Sequence, residues 1–189
     1  MENKKFLEEY FLQFKKLIDF KKEDLENLVN VSTLMKDAHE NNKKTLIFGN
    51  GGSAAIASHF SVDITKNAKV RCTNYNESDL LTCFSNDFGY ENWVQKAIEF
   101  YADEGDVLIL ISAGGNSPNM INAANYAKKN KIKSIVTFSG NKEGNKLQKL
   151  GDINFWVNSS SYNHIENVHQ ILLLSIVDLI IGKSEYKPN

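Results

Sequence analysis

Two short apolar strands that each run into a glycine turn and then a helix constrain this chain more than any other feature. Thr45-Leu46-Ile47-Phe48 leads into Gly49-Asn50-Gly51-Gly52-Ser53 and an alanine-rich helical stretch over 54–64. Val107-Leu108-Ile109-Leu110-Ile111 leads into Ser112-Ala113-Gly114-Gly115-Asn116-Ser117 and a helix from Pro118 to about Asn130, with Ser117 as its cap. Strands this uniformly apolar must be covered on both faces, and their alternation with helices predicts an α/β fold around a parallel sheet.

The remaining elements fit that frame. Apolar residues at three- and four-residue steps predict an amphipathic helix over 6–18, carried by Phe6, Leu7, Tyr10, Phe11, Phe14, Leu17 and Ile18. A second helix is predicted over 22–39, stopping near Asn41-Asn42. Further strands are expected at 70–74, 134–138 and 153–157, and a long helix over 162–181. No linker or repeat divides the chain. Residues 1–42 are therefore expected to form two leading helices, 43–182 an α/β core and 183–189 a tail, all within one domain.

The charge balance excludes some partners. Twenty-two basic and 23 acidic side chains leave a net charge of −1, too little for a bulk electrostatic footprint on nucleic acid or an anionic membrane. Arg71 is the only arginine, so a phosphate held by this chain must rely on backbone N–H groups and hydroxyls rather than on guanidinium forks. Cys72 and Cys83 lack C-x-x-C spacing and are expected as buried thiols in a reducing compartment. The charged N-terminus lacks a secretory apolar stretch, and no run of about 18 apolar residues is present. A cytoplasmic protein is expected.

Beyond the carboxyl ends of parallel strands, glycine turns point N–H groups outward, and the following helix adds partial positive charge. The two turns together suit a phosphate monoester, with Gly51, Gly52, Ser53, Ser112, Gly114, Asn116 and Ser117 as candidate binding residues. Neither turn reads G-x-G-x-x-G or contains G-K-[ST], so no nucleotide cofactor is expected. Two helical pairs could supply acid/base groups or divalent-metal ligands: His59 with Asp63 at four-residue spacing, and Glu166 with His169 at three. They could equally be a solvated carboxylate and a core histidine in each case.

The segments LIFGNGGSAAIASHF, SNDFGYEN and GDVLILISAGGNSPNMINAANYAK resemble the SIS (sugar isomerase) family, in its bacterial phosphoheptose isomerase branch. The resemblance covers most of the chain. It implies a three-layer α/β/α fold with a five-stranded parallel sheet, a homotetramer assembled through helices, and a phosphorylated sugar as ligand. It further implies interconversion of sedoheptulose 7-phosphate and a heptose 7-phosphate through an enediolate. By resemblance, Ser53, Ser112 and Ser117 hold the phosphate, Asn50 and Asp87 line the sugar site, and Asp63 stands where the family has a glutamate base.

Three departures accompany the match. The second loop has Ala113 and Gly114 where the family usually has Thr and Ser. Glu166 stands in place of a glutamine, and Leu174 in place of the acid/base histidine that can also bind zinc. Glu166 and His169 are therefore candidates for the lost catalytic role beside Asp63, and His59, Asp63 and Glu166 are candidates for a zinc site if the two helices converge. The departures also leave open a catalytically altered module that binds a phosphosugar or a protein partner, or an isomerase for another phosphosugar.

Overall fold

A computed structural model describes residues 2–185; the last four residues of the expected tail lie outside the described residues. Five strands, β1 (Thr45–Phe48), β2 (Cys72–Thr73), β3 (Val107–Ser112), β4 (Ser134–Gly140) and β5 (Ile153–Val157), form one parallel sheet in the order β2-β1-β3-β4-β5. Seven α-helices accompany them: α1 (Glu2–Leu17), α2 (Lys22–Glu40), α3 (Gly52–Lys66), α4 (Ser78–Phe88), α5 (Trp93–Tyr101), α6 (Pro118–Ala127) and α7 (Tyr162–Ile181). The expected three-layer α/β/α fold is present.

Strand alternation splits the core into two layers. Ile47, Ile109, Val136 and Phe138 point toward one face, where they meet Met35 of α2, Phe60 and Ile64 of α3, and Leu172 and Ile176 of α7. Leu46, Phe48, Leu108 and Leu110 point toward the other, against Trp93 and Ile98 of α5 and Met120 and Ala123 of α6. Every residue of β1 and β3 is buried, which accounts for strands that read as unbroken apolar runs.

A charged clamp fixes the amino ends of the central strands. The fully buried Asp106 accepts from the Lys44 N–H at 2.9 Å and the Asp103 N–H at 2.8 Å, and its Oδ2 lies 2.8 Å from Lys44 Nζ. Arg71, just before β2, donates to the Lys43 carbonyl at this same end. The one guanidinium is thus spent on the main chain at the end of the sheet remote from the glycine turns.

Several expectations are corrected. Residues 75–106, for which the sequence reading assigns no element, carry α4 and α5. The strand expected at 70–74 shrinks to two residues, and α6 stops at Ala127. Cys83 is exposed rather than buried, and both cysteines are unpaired. Helix α7 is long and apolar enough, by length and composition, to cross a bilayer. One face of it lies in the core, where Ile165, Val168, Leu172, Leu173, Ile176 and Val177 are buried, while Ile171 and Leu179 stay exposed.

Candidate active site

The connections leaving β1 and β3 run to opposite faces of the sheet: β1 leads into α3, and β3 leads through its loop into α6. A crevice opens between diverging connections at the carboxyl ends of such strands. Asn50 follows β1 and Asn119 opens α6, and their amides pair reciprocally across that crevice. Asn50 Nδ2 donates to Asn119 Oδ1 at 3.0 Å, and Asn119 Nδ2 donates to Asn50 Oδ1 at 2.8 Å. The Tyr90 hydroxyl also donates to Asn50 Oδ1, at 3.0 Å. Asn50 therefore fastens the two strand exits together, and one of its amide protons remains for a ligand. Asn119 and Tyr90 escape a reading of the turns alone, because their roles arise only when distant segments meet.

In the first turn, Gly51 has φ +54°, and Ser53 is buried at the start of α3. A Cβ on Gly52 would meet the end of the Glu166 side chain, which would have to move aside. The Glu166 carboxylate thus lies directly against the turn. In the second turn, the Ser112 and Ser117 hydroxyls are 3.0 Å apart. Gly115, at φ +64°, donates its N–H to the Ser112 carbonyl, and the Asn116 side chain donates to the Gly114 carbonyl. Asn145, unforeseen in the sequence, buttresses this turn: a Cβ on Gly115 would fall 2.1 Å from its side chain.

Helices α3 and α7 bring the two candidate pairs toward one another only in part. His59 and Glu166 line a common groove of about 310 Å³ with Gly52, Ala55, Ile56, Asn167 and Gln170. His59 Nε2 lies 3.2 Å from Asp63 Oδ2, and Gln170 Nε2 lies 3.4 Å from His59 Nδ1. With an amide NH₂ facing Nδ1 and a carboxylate facing Nε2, the neutral ring carries its proton on Nε2. Asp63 does not line the groove itself; its side chain is 28% exposed and joins the groove through His59. Asp178, one turn beyond Leu174, is a further carboxylate near Asp63. Burial first, and then the charge of Asp63, push its carboxyl above the usual carboxylate range.

His169 does not join them. It is fully buried against Phe138, with Nε2 3.1 Å from the Ser139 carbonyl and Nδ1 unpartnered. Burial drives its pKa down to about 4, so it is a neutral core histidine near pH 7. The expectation of a catalytic His169 gives way to this structural role, because the one-turn offset from Glu166 turns its side chain toward β4. Asp87 is exposed on the last turn of α4 and accepts locally, from the Cys83 thiol at 3.6 Å and the Asn86 amide at 2.9 Å.

The donors do not fit a zinc site. Among the described residues no three His, Cys, Asp or Glu side chains are gathered for a metal. Both ring nitrogens of His59 face protein partners, and the position that would add a fourth donor is Leu174, packed against the core. Even a catalytic zinc, with water in its fourth position, requires three convergent N, S or O ligands from the protein.

Comparison with known proteins agrees with this architecture. The SIS domain profile matches residues 9–139. The phosphoheptose isomerase of Buchnera aphidicola subsp. Acyrthosiphon pisum is 34% identical over 172 residues, covering 88% of each chain. That of Sulfurimonas denitrificans is 32% identical over 189 residues, covering 94% of each. The structure of phosphoheptose isomerase GmhA from Neisseria gonorrhoeae superposes with a TM-score of 0.85 at 26% identity, covering 95% of this chain and 98% of that one. The chain belongs to the SIS-domain family, among its phosphoheptose isomerases.

Proposed function

We propose that this protein is an aldose–ketose isomerase that interconverts sedoheptulose 7-phosphate and D-glycero-D-manno-heptose 7-phosphate. The observation that carries the reading is the shared groove: His59 and Glu166, on neighbouring helices, line it together with Gly52 of the first turn, and Asp63 reaches it through His59. The phosphate is held at the strand exits by Ser53, Ser112, Ser117 and the dipoles of α3 and α6. Asn50 and the Gly114–Asn116 segment shape the space between them.

Isomerisation moves a carbonyl between C1 and C2. One carboxylate removes the proton beside the carbonyl, the electron pair of that C–H bond forms an enediolate as the carbonyl oxygen takes up a proton, and the neighbouring hydroxyl gives up its proton to become the new carbonyl as a proton returns to the other carbon. The His59–Asp63 pair is the proton-accepting unit, with Asp63 supplying the negative charge and the Nε2–H of His59 orienting its carboxylate. Glu166, on the opposite wall, is the second proton-transfer group and takes the part that Leu174 cannot perform. No step runs through a metal.

The exposed apolar surface of α1 supports self-association, and we extend the reading to a homotetramer. Two unpaired thiols fit a reducing compartment, and we place the reaction in the cytoplasm.

Incubation with sedoheptulose 7-phosphate, followed by aldose detection, tests the proposal. Turnover is expected, falling by roughly 10²–10⁴-fold in Asp63→Asn and in Glu166→Gln. A wild-type protein that binds the sugar phosphate and produces no aldose would overturn it in favour of a binding module.

A further inference from the structure

The second turn is poor in side-chain donors for an anion. Its only hydroxyls, Ser112 and Ser117, bond to each other, so one of the two protons is already engaged. The Gly115 N–H goes to the Ser112 carbonyl, and the Asn116 amide folds back onto the Gly114 carbonyl. Ala113, buried in the core, and Gly114 contribute no side-chain donor. The lone arginine is committed at the far end of the sheet. A dianion at this turn thus has backbone N–H groups and the α6 dipole to meet it but few side-chain donors, and a further one from another element would add to them.

One is in place. Tyr162, the first residue of α7, carries its phenol hydroxyl over Gly114: a Cβ built on that glycine would lie 3.3 Å from the oxygen. The ring is 58% exposed, so the hydroxyl is accessible to a ligand at the turn. A side chain at 114 would compete for the space that this hydroxyl fills. The same first turn of α7 leads to Glu166, four residues on, whose carboxylate abuts the other glycine turn.

We propose that Tyr162 is a phosphate-binding residue, its hydroxyl supplying to the β3–α6 turn the donor that Ala113 and Gly114 lack. The inference rests on the phosphosugar reading above and assigns a further residue to its phosphate end. It makes the phosphate subsite a joint product of the β3–α6 turn and the amino end of α7. Phenol O–H to phosphate is a charge-assisted hydrogen bond, so its loss is felt in affinity rather than in the proton-transfer step.

Binding of inorganic phosphate, titrated calorimetrically, tests this without requiring turnover. In Tyr162→Phe, phosphate affinity is expected to fall about tenfold or more, the range for a hydrogen bond to a charged group. KM for the sugar phosphate should rise in parallel and kcat should change little. Adding Gly114→Ser to Tyr162→Phe places a hydroxyl where the phenol had been and is expected to recover most of the lost affinity. Thermal melts of both variants confirm that they are folded. Phosphate affinity unchanged in Tyr162→Phe, or a fall in kcat with KM intact, would overturn the assignment. The tyrosine-dependent loss of phosphate binding in a protein that turns over no heptose phosphate would support this hydroxyl while overturning the isomerase reading.

Discussion

Two histidines on adjoining helices show how environment, rather than residue type, decides chemistry. His59 is 47% exposed and held between a carboxylate and an amide, whereas His169 is sealed behind Phe138. Because the folded-state pKa of His169, about 4, lies below the ordinary 6.5, the folded protein resists protonation that the unfolded chain accepts. Its contribution is therefore complete above pH 6.5 and is lost as pH falls toward 4, a window worth about 3 kcal/mol. Urea unfolding at pH 5 and pH 7.5 is expected to show a drop that His169→Gln lacks. An identical pH dependence in the two proteins would contradict the assignment of His169 to the core. Spacing alone made the pairs 59/63 and 166/169 look alike. The difference is that three residues along α7 rotate a side chain from the groove to the sheet.

At the scale of elements, the glycine turns are built by what approaches them from elsewhere. Gly52 leaves room for the Glu166 carboxylate, which lies where a Cβ would go. Gly52→Ala is expected to displace Glu166 and cut turnover by at least tenfold. The melting temperature should fall by only a few degrees, because the displaced side chain borders a groove rather than the core. Activity retained in Gly52→Ala would show that the carboxylate has no role in proton transfer. The turns themselves were legible in the sequence, since glycine and serine after an apolar strand have few alternatives. So were β1, β5 and α7, whose bounds the periodicity matches. The approach of Tyr162 to Gly114, of Asn145 to Gly115 and of Asn119 to Asn50 was not, because each joins residues tens of positions apart. Helices α4 and α5 were hidden for a related reason. Helix α4 buries no residue completely, and α5 buries Trp93, Val94, Ala97 and Ile98 within a nine-residue stretch, too short for a clear period.

The whole molecule leaves one surface unexplained by a single chain. Helix α1 has no buried residue, although Tyr10 rests on the His164 ring of α7 with centroids 4.1 Å apart. Phe6 and Phe11 are 65% and 62% exposed, and Leu7 and Leu12 are half exposed beside them. On α2, Leu25 and Val29 are likewise exposed, at 51% and 52%. Scattered apolar residues are ordinary on a surface, but Phe6, Leu7, Phe11 and Leu12 crowd one helix that buries no residue, which suits an interface with another molecule. A second copy of the chain is the occupant most consistent with it, since an isologous contact lets the same stripe cover itself. Sedimentation equilibrium is expected to give a mass well above that of one 21.4 kDa chain. Phe6→Glu with Phe11→Glu should shift the distribution toward the monomer without unfolding the α/β core, because neither ring packs in it. A wild-type protein that sediments as a monomer at tens of micromolar would leave the stripe for another partner. The same variant also measures whether assembly supports the site: α1 meets the amino end of α7 at His164, between Tyr162 and the groove residue Glu166, so turnover falling along with the mass would tie the interface to the chemistry.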